Sequence, residues 1–223
     1  MKTWAASILV ATMYALTLLP PVSAGRANAQ ESKGESVNSY REGRDGGRPA
    51  WVEEALRRSI AYLKQRSRDF DLVDPEAELT LAGADRDELG QTHVRLDQVF
   101  RGVPVFGGQL ITHMDARSVR DLVGGRVFGS ARQVNTRPQI DAALAVEAAR
   151  ATLGYAGRFA REPQAKLVVL PHELKNRQGE GGATLVYLVE LLIMDGTPDT
   201  AHHYYFVNAA DGSIVWHYNN LRR

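Results

Sequence analysis

The 223-residue chain contains no cysteine. Disulfide bonds, thiol nucleophiles and zinc sites with thiolate ligands are therefore excluded. Stability has to come from packed cores, and a chain of this length can bury one or two of them.

An excess of charge of either sign is also missing. The chain has 27 Lys and Arg residues against 26 Asp and Glu residues, which gives a formal net charge of +1. It shows no block of like charge. This balance argues against a nucleic-acid partner and against binding to a membrane surface.

The usual short motifs of catalysis are missing as well. No Gly-x-Ser-x-Gly occurs, and no Gly-Gly pair is followed by the Lys-Ser/Thr of a phosphate-binding loop. The stretch HELKN at His172 begins like a zinc-protease helix but has Asn176 where the second histidine belongs, and a glycine-rich stretch follows. We therefore predict a loop there. Asp85, Asp87 and Glu88 lie in a polar stretch and are interpreted as a solvated charge run.

The histidines do not predict a metal site. His93 and His113 lie on separate predicted strands and could meet across a hairpin, but catalytic zinc takes three protein ligands. His202 and His203 are adjacent, so in a strand they point to opposite faces. His217 is interpreted as standing alone. No catalytic residue, no cofactor and no metal ligand is predicted.

The longest apolar stretch lies at the start of the chain. After Lys2, residues 4–19 are mostly apolar and uncharged, and small residues spaced for signal peptidase precede Gly25 and Gln30. This pattern predicts a secretory signal peptide over residues 1–29, with cleavage before either residue. An uncleaved anchor is the alternative, but the stretch is short for a span of roughly 20 residues. We expect a protein that is secreted or located in the periplasm or cell envelope.

Residues 30–48 are rich in Gly and Ser, mixed in charge, and contain one aromatic residue. Such a segment buries too little apolar surface to offset the entropy lost on ordering. A flexible leader is predicted.

Residues 49–135 are predicted to form a first small module. Apolar residues at helical spacing predict a helix over residues 49–68. Strands are predicted at 76–81, at 92–97, at 105–114 and in the stretch VRDLVGGRVFG, with the turn FRGVP between two of them. The module is a helix on a small antiparallel sheet.

Residues 136–223 are predicted to form a second module of the same kind. A helix begins near Gln139 and ends at a cap on Gly154. Its predicted apolar stripe consists of Ile140, Leu144, Ala148 and Ala151. Four strand candidates follow, and Asp211-Gly212 joins the last two as a hairpin turn. The predicted fold class is α+β, with two small modules in series, each a helix packed on an antiparallel sheet.

The stretch LGQTHVRLDQVFRGVPVFGGQLITHMD resembles the signature of the fungalysin/thermolysin propeptide domain. The matching residues are Gly90, Thr92, His93, Val94, Arg95, Gln98, Phe100, Gly102, Val103, Pro104, Val105, Gly107 and His113. The later strands, ending in YYFVNAADGSIVWHYN with Asp211 and Gly212, resemble the PepSY domain that comes second in thermolysin-type prosegments. Together the two resemblances extend over residues 50–220.

The resemblance implies a role beside a thermolysin-like zinc metalloprotease. Prosegments of this family assist folding of the enzyme and block its active-site cleft. In the family a catalytic domain with HExxH follows, and this sequence contains no HExxH. We expect a non-catalytic protein that acts on a separately encoded protease, or the N-terminal part of a truncated protease precursor. A PepSY-type binding module of the cell envelope is the alternative from a different class.

The C-terminal strand is the candidate surface for partner contact. Trp216, His217, Tyr218 and Arg222 are the residues proposed for it, because aromatic and Arg side chains are favoured anchors of interfaces. The other interpretation is that Trp216 and Tyr218 only cover the sheet. For the residues of the propeptide signature two roles also stay open, holding the hairpin or contacting a partner.

Overall fold

The computed structural model describes residues 39–41, 47–115, 117–175, 181–197 and 200–221, without the side chains of residues 120–122. The predicted signal peptide, most of the predicted leader and Arg222 lie outside the described residues. Within the described part of the chain, no helix is both long enough and apolar enough to cross a membrane.

An antiparallel sheet occupies the N-terminal half. Its strands are β1 (Ser39–Arg41), β2 (Leu79–Arg86), β3 (Thr92–Phe100), β4 (Val103–Met114) and β5 (Val119–Arg126), paired in chain order. Helix α1 (Ala50–Gln65) packs on one face and is followed by a 3-10 turn at Ser67–Phe70. The predicted helix and the β3–β4 hairpin are confirmed. Val52 and Leu63 of α1 are fully buried against Val94 and Leu96 of β3.

The strand predicted over residues 76–81 is wrong at both ends. Pro75–Glu78 form a short helix α2, because Pro75 suits the first helical position and the Asp74 side chain accepts a hydrogen bond from the Glu76 N–H at 3.1 Å. The strand itself, β2, continues to Arg86. The small residues Ala82, Gly83 and Ala84, which were expected to end the strand, are part of it. The register of β2 against β3 shifts between Leu81 and Gly83.

The predicted flexible leader is wrong over Ser39–Arg41, which form β1 and pair with β2. Tyr40 packs against the core beneath α1. Gly83 makes the pairing possible, because a Cβ there would lie 2.8 Å from the Tyr40 carbonyl oxygen. The packing of Tyr40 and the absence of a Cβ at Gly83 thus order the segment Ser39–Arg41.

A second antiparallel sheet occupies the C-terminal half. Its strands are β6 (Ala165–Pro171), β7 (Ala183–Ile193), β8 (Ala201–Asn208) and β9 (Ile214–Asn219), again paired in chain order. Helix α3 (Ala142–Leu153) packs on one face. The four predicted strands, the final hairpin and the cap at Gly154, with φ 66°, are confirmed.

The predicted start of the second helix is wrong. Its predicted apolar stripe is right in part, since Ile140 and Ala148 pack against the core whereas Leu144 and Ala151 are exposed. The N–H groups of Gln139 and Ile140 both donate to the Ala209 carbonyl, which holds these residues outside the helix. The helix begins at Ala142, with the Asp141 side chain accepting from the Leu144 N–H at 2.8 Å. Leu144 is consequently 51% exposed. The fully buried contacts are made by the small residues Ala145 and Ala149.

The two sheets join at β4. The second half of β4 pairs with β5, whereas its first half lies parallel to β6 with Val105 opposite Val169. The segment after β5 also crosses over, since Phe128, Ala131 and Val134 are buried in the core beneath α3. The α+β class is confirmed, but the strands of both halves form one continuous array. A domain boundary near residue 135 stays a prediction.

Candidate functional site

The residues of the propeptide signature divide between two faces of the N-terminal sheet. Thr92, Val94 and Gln98 are buried. His93 and Arg95 alternate with them along β3 and lie on the face away from α1. The signature therefore contains both core residues and a set of polar side chains on a helix-free face.

Two histidines meet on that face. His93 and His113 are directly opposite each other on β3 and β4. Their Nδ1 atoms are 2.7 Å apart, and the rings are edge to face with centroids 4.8 Å apart. The Nε2 atom of His93 lies 3.1 Å from the Asp87 carboxylate. The predicted meeting across the hairpin is confirmed.

These contacts fix the direction of the hydrogen bonds. A carboxylate only accepts, so His93 donates from Nε2 to Asp87. Neutral His93 then accepts at Nδ1 from the Nδ1–H of His113. If both rings were protonated, both Nδ1 atoms would carry hydrogen and the bond between them would be lost. The hydrogen bond between the rings therefore survives protonation of His113 alone but not protonation of both rings.

Electrostatics agree with this limit. Burial, and after it the nearby His93 and Arg95, hold the pKa of His113 below its ordinary range, with Asp85 opposing them. The pKa of Asp87 is lowered, first by the Gln91 N–H that donates to it at 2.8 Å and then by His93. Asp87 is thus an ionised acceptor that orients His93.

Two further polar pairs continue the row. Arg95 forms an ion pair with Asp85 on the neighbouring strand β2. Gln109 donates from Nε2 to Asp97 at 2.7 Å. We call the set formed by Asp85, Asp87, His93, Arg95, Asp97, Gln109 and His113 the polar face. The sequence interpretation of Asp85 and Asp87 as merely solvated charges was wrong, because both bind residues of the signature.

Gln98 has a different role, because it is 1% exposed and holds the joint between the sheets. Its Oε1 accepts from the Phe128 N–H at 2.8 Å, and its Nε2 donates to the Phe128 carbonyl at 3.1 Å. The Phe128 side chain lies in the core beneath α3. Gly108 leaves room for this amide, since a Cβ there would come within 2.5 Å of Oε1.

The remaining signature residues shape turns and close approaches. Gly102 has φ 80° in the β3–β4 turn, which favours glycine, and Pro104 lies opposite Val99 where the strands resume. Gly90 donates its N–H to the Asp87 carbonyl in the preceding turn. A Cβ on Gly107 would meet Leu174 at 3.1 Å.

The C-terminal sheet carries an aromatic layer on its helix-free face. The layer consists of Phe106, Tyr204, Phe206, Trp216 and Tyr218. Trp216 stacks on Phe206 with centroids 4.8 Å apart, and Tyr218 stacks on Tyr204 at 5.2 Å. Trp216 and Tyr218 are half-buried. They cover the sheet and also leave part of their rings accessible.

His217 lies on the opposite face of β9 and is not alone. Its Nε2 is 2.9 Å from Nδ1 of His203, and its ring stacks on Tyr205 with centroids 4.2 Å apart. Burial lowers the pKa of both His203 and His217, and for His203 the nearby His217 and His202 add to the effect. The sequence interpretation missed the contact because the two residues are brought together only by the β8–β9 register.

The hairpin turn before β9 is formed as predicted. Asp211 accepts from the Ser213 N–H at 2.9 Å and from its hydroxyl at 2.7 Å. Gly212 has φ 78°, and its N–H donates to the Asn208 carbonyl. These contacts give Asp211 and Gly212 a role in chain reversal.

Among the described residues, no group of three or more His, Asp or Glu side chains could hold a metal ion. The HELKN stretch is a 3-10 turn at His172–Leu174 that leaves β6, as predicted. His172 Nε2 lies 2.8 Å from the Thr184 hydroxyl. Asn176 lies outside the described residues.

Residues 77–127 match the family model of the Fungalysin/Thermolysin Propeptide Motif. The resemblance that the signature residues carry is thereby confirmed for this segment. The matched segment contains the last two residues of α2, the strands β2 to β5 and the whole polar face. The PepSY resemblance of the C-terminal half stays a prediction.

The chain is similar to part of the length of several known proteases. The chain is 28% identical to Bacillolysin of Brevibacillus brevis over 171 residues, which are 72% of this chain and 31% of that protein. It is 27% identical to Bacillolysin of Bacillus cereus over 166 residues, 72% of this chain and 28% of that protein. Thermolysin of Alicyclobacillus acidocaldarius subsp. acidocaldarius is 29% identical over 164 residues, 72% of this chain and 29% of that protein. The chain thus spans less than a third of these relatives.

A solved structure, the Bacillus megaterium YpeB C-terminal domain, aligns at 15% identity with a TM-score of 0.32. The alignment covers 83% of this chain and 72% of that chain.

Proposed function

We propose that this chain is a prosegment-like, non-catalytic protein that binds a thermolysin-like zinc metalloprotease. It would inhibit the enzyme, assist its folding, or do both. The observation that carries the proposal is the propeptide-motif match over residues 77–127. The alignments with Bacillolysin and Thermolysin each cover 72% of this chain. The names of these relatives are the reason for proposing a protease of this class as the partner.

The geometry of the matched segment supports a binding role. Its charged and polar side chains satisfy one another across the sheet, as in the Asp87–His93–His113 row and the Arg95–Asp85 pair. Such a pre-ordered surface costs little side-chain entropy when a partner covers it. The polar face is therefore a candidate contact, beside its role in holding the hairpin.

The second candidate contact is the C-terminal strand. Trp216 and Tyr218 present partly exposed rings at the edge of the aromatic layer, and His217 lies on the other face. Arg222, outside the described residues, belongs to the same proposed contact. Aromatic and Arg side chains are frequent hot spots of interfaces, which is the physical reason for choosing this strand.

The proposed mechanism is steric. A specific interface buries on the order of 1,000 Å² or more, enough to cover an active-site cleft without any chemistry by the inhibitor. The partner would be met outside the cytoplasm, in the medium, the periplasm or the cell envelope. It would be a separate chain, or a following domain if this chain is part of a longer precursor. We propose no nucleic-acid partner. We also propose no stable membrane span once the signal peptide has been cleaved.

Titration against protease tests the proposal. The protein, expressed from its full sequence and purified after export, is added to thermolysin-like proteases of the same organism while hydrolysis of a peptide substrate is followed. Saturable inhibition near one to one is expected. The double variant W216A/Y218A should weaken inhibition at least roughly tenfold, because two anchors of about 1–2 kcal/mol each are lost.

The matched control is Met194→Ala, since Met194 is apolar and 68% exposed but lies outside both candidate contacts. It should inhibit like the wild type. Refolding yield of the denatured protease, with and without the protein, is measured in parallel. If no such protease is inhibited and none refolds better, the proposal fails and a binding module of the cell envelope becomes the better explanation.

A further inference from the structure

We propose that the open edge of β9 binds an extended, uncharged segment of the protease through main-chain hydrogen bonds, adding a strand to the C-terminal sheet. This inference rests on the proposed function and specifies how the partner is held. The proposed function assigns a role only to the side chains of Trp216 and Tyr218. The present inference assigns a role to the backbone of β9.

Three strands lie at edges of the described sheets, and β9 is the least protected. β1 has only three residues. β5 contains Arg120, Asp121 and Arg126 and has a register shift against β4. Charges, irregular register and shortness are the features with which proteins prevent unwanted strand pairing. β9, with the sequence IVWHYN, has no charged residue and no proline.

One irregularity is present in β9, and it lies at the start of the strand. The register shifts where Phe206 pairs with Trp216 and Val207 with Ile214, so Val215 is the extra residue. From Trp216 onward the pairing is regular. The Asn220 N–H still donates to the His202 carbonyl at 2.8 Å, so the extended backbone continues beyond Asn219.

This hydrogen bond also shows which backbone groups are free. In an antiparallel pair, alternate residues direct both N–H and C=O toward the partner strand. Asn220 is directed toward β8, and therefore Tyr218 and Trp216 are as well. His217 and Asn219 direct their N–H and C=O away from the sheet. Among the described residues, none hydrogen-bonds to these outward groups. Two donors and two acceptors are available at the spacing of a strand.

The side chains beside this edge define the occupant further. Trp216 and Tyr218 flank it on the aromatic layer, and His217 and Asn219 flank it on the opposite face. The Asn219 side chain is turned back, since its Oδ1 accepts from the His202 N–H at 3.1 Å. On β9 itself, an incoming strand thus meets the rings of Trp216 and Tyr218 on one face and no Asp, Glu, Lys or Arg side chain on either. It should be uncharged, with apolar side chains on the aromatic side.

Amide hydrogen exchange on the wild-type protein, free and bound to protease, is the primary test. The His217 and Asn219 amides point outward, so they should exchange fast in the free protein and slow by on the order of tenfold or more in the complex. The Trp216 and Tyr218 amides already donate to β8 and should change less. A complex that inhibits yet leaves His217 and Asn219 unprotected would overturn the strand addition and leave the proposed function standing.

Variants at His217 give an independent measurement. His217→Pro removes the outward N–H without removing a hydrogen bond to β8, a position that proline tolerates in edge strands. It should raise the inhibition constant roughly tenfold. His217→Asn removes the imidazole but keeps the N–H, so any loss it shows measures the side chain alone, and the loss in His217→Pro should exceed it roughly tenfold. Equal loss in both variants would show a side-chain contact and contradict the inference.

Two outcomes separate the inference from its premise. Absence of any complex overturns the proposed function, and the strand addition with it. Protection of His217 and Asn219 without protease, together with a dimer in sedimentation that His217→Pro abolishes, would make a second copy of this chain the occupant. Should His217→Pro fail to fold, the exchange measurement on the wild type still decides.

Discussion

At the scale of single residues, Gln98 shows how one amide connects two sheets. It satisfies both the N–H and the carbonyl of Phe128 in a buried site. Gln98→Ala leaves both backbone groups without a partner, and each unsatisfied buried group costs about 1–3 kcal/mol. We expect the free energy of unfolding to fall by about 2–6 kcal/mol, measured by urea denaturation.

Gln109→Ala is the matched control for this variant. It also removes an amide hydrogen bond, to Asp97, but at a partly buried site where water can replace the partner. Its cost should be about 1 kcal/mol or less. Equal losses for the two variants would mean that the bonds to Phe128 are not what makes Gln98 important for stability.

The His93–His113 pair predicts a dependence of stability on pH. The pKa of His113 in the folded protein lies below the ordinary value of 6.5. Below about pH 6.5 the unfolded chain therefore binds more protons at this residue than the folded one, so the free energy of unfolding decreases as pH falls toward the folded pKa. His113→Asn should reduce this slope, as measured by denaturation from pH 7.5 to 5.

An NMR titration checks the cause of that slope. The His113 ring should titrate below pH 6.5 in the wild type, because of burial and the neighbouring His93 and Arg95. In His93→Asn its pKa should rise toward the ordinary value, since one of these opposing groups is gone. A wild-type His113 that titrates at or above pH 6.5 would contradict the assigned pair.

At the scale of elements, the sequence predicted well wherever one periodicity extended over a whole element. The alternation of Val94 and Leu96 with His93 and Arg95 predicted β3 and both of its faces. Knowing the opposite residue on β4 then brings His93 to His113. The contact between Asp87 and His93 was missed. Asp87 lies in the turn after β2, and the periodicity of a sequence does not predict where the side chain of a turn residue will lie.

Short and mixed elements were missed for physical reasons of their own. β1 forms because Gly83 admits the Tyr40 carbonyl, a contact between residues 43 positions apart. The start of α3 was misplaced because the Ala209 carbonyl holds Gln139 and Ile140 outside the helix. In both places a contact between residues far apart in the sequence determines the local structure. The local pattern of apolar and polar residues contains no information about such a contact.

At the scale of the whole molecule, the two predicted modules share a core. Val105, Phe128, Ala131 and Val134 precede residue 135 in the chain, yet they are buried against strands of the C-terminal sheet and α3. A hydrogen bond crosses the same joint, from the Ser130 hydroxyl to the Glu173 carboxylate at 3.3 Å. A core built from both halves should couple their unfolding, because neither half buries these side chains alone.

The prediction is a single unfolding transition for both halves. Trp51 lies in α1 and Trp216 in β9, so the variants Trp51→Phe and Trp216→Phe each leave one of these two reporters in place. Their urea transitions, followed by fluorescence and corrected for the stability of each variant, should coincide with the transition seen by circular dichroism. Val105→Ala, placed at the joint, should shift both transitions equally, whereas independent modules would show two midpoints that respond separately. A shared transition would mean that a partner bound at β9 also stabilises the polar face, because binding to one part of a cooperative unit stabilises all of it.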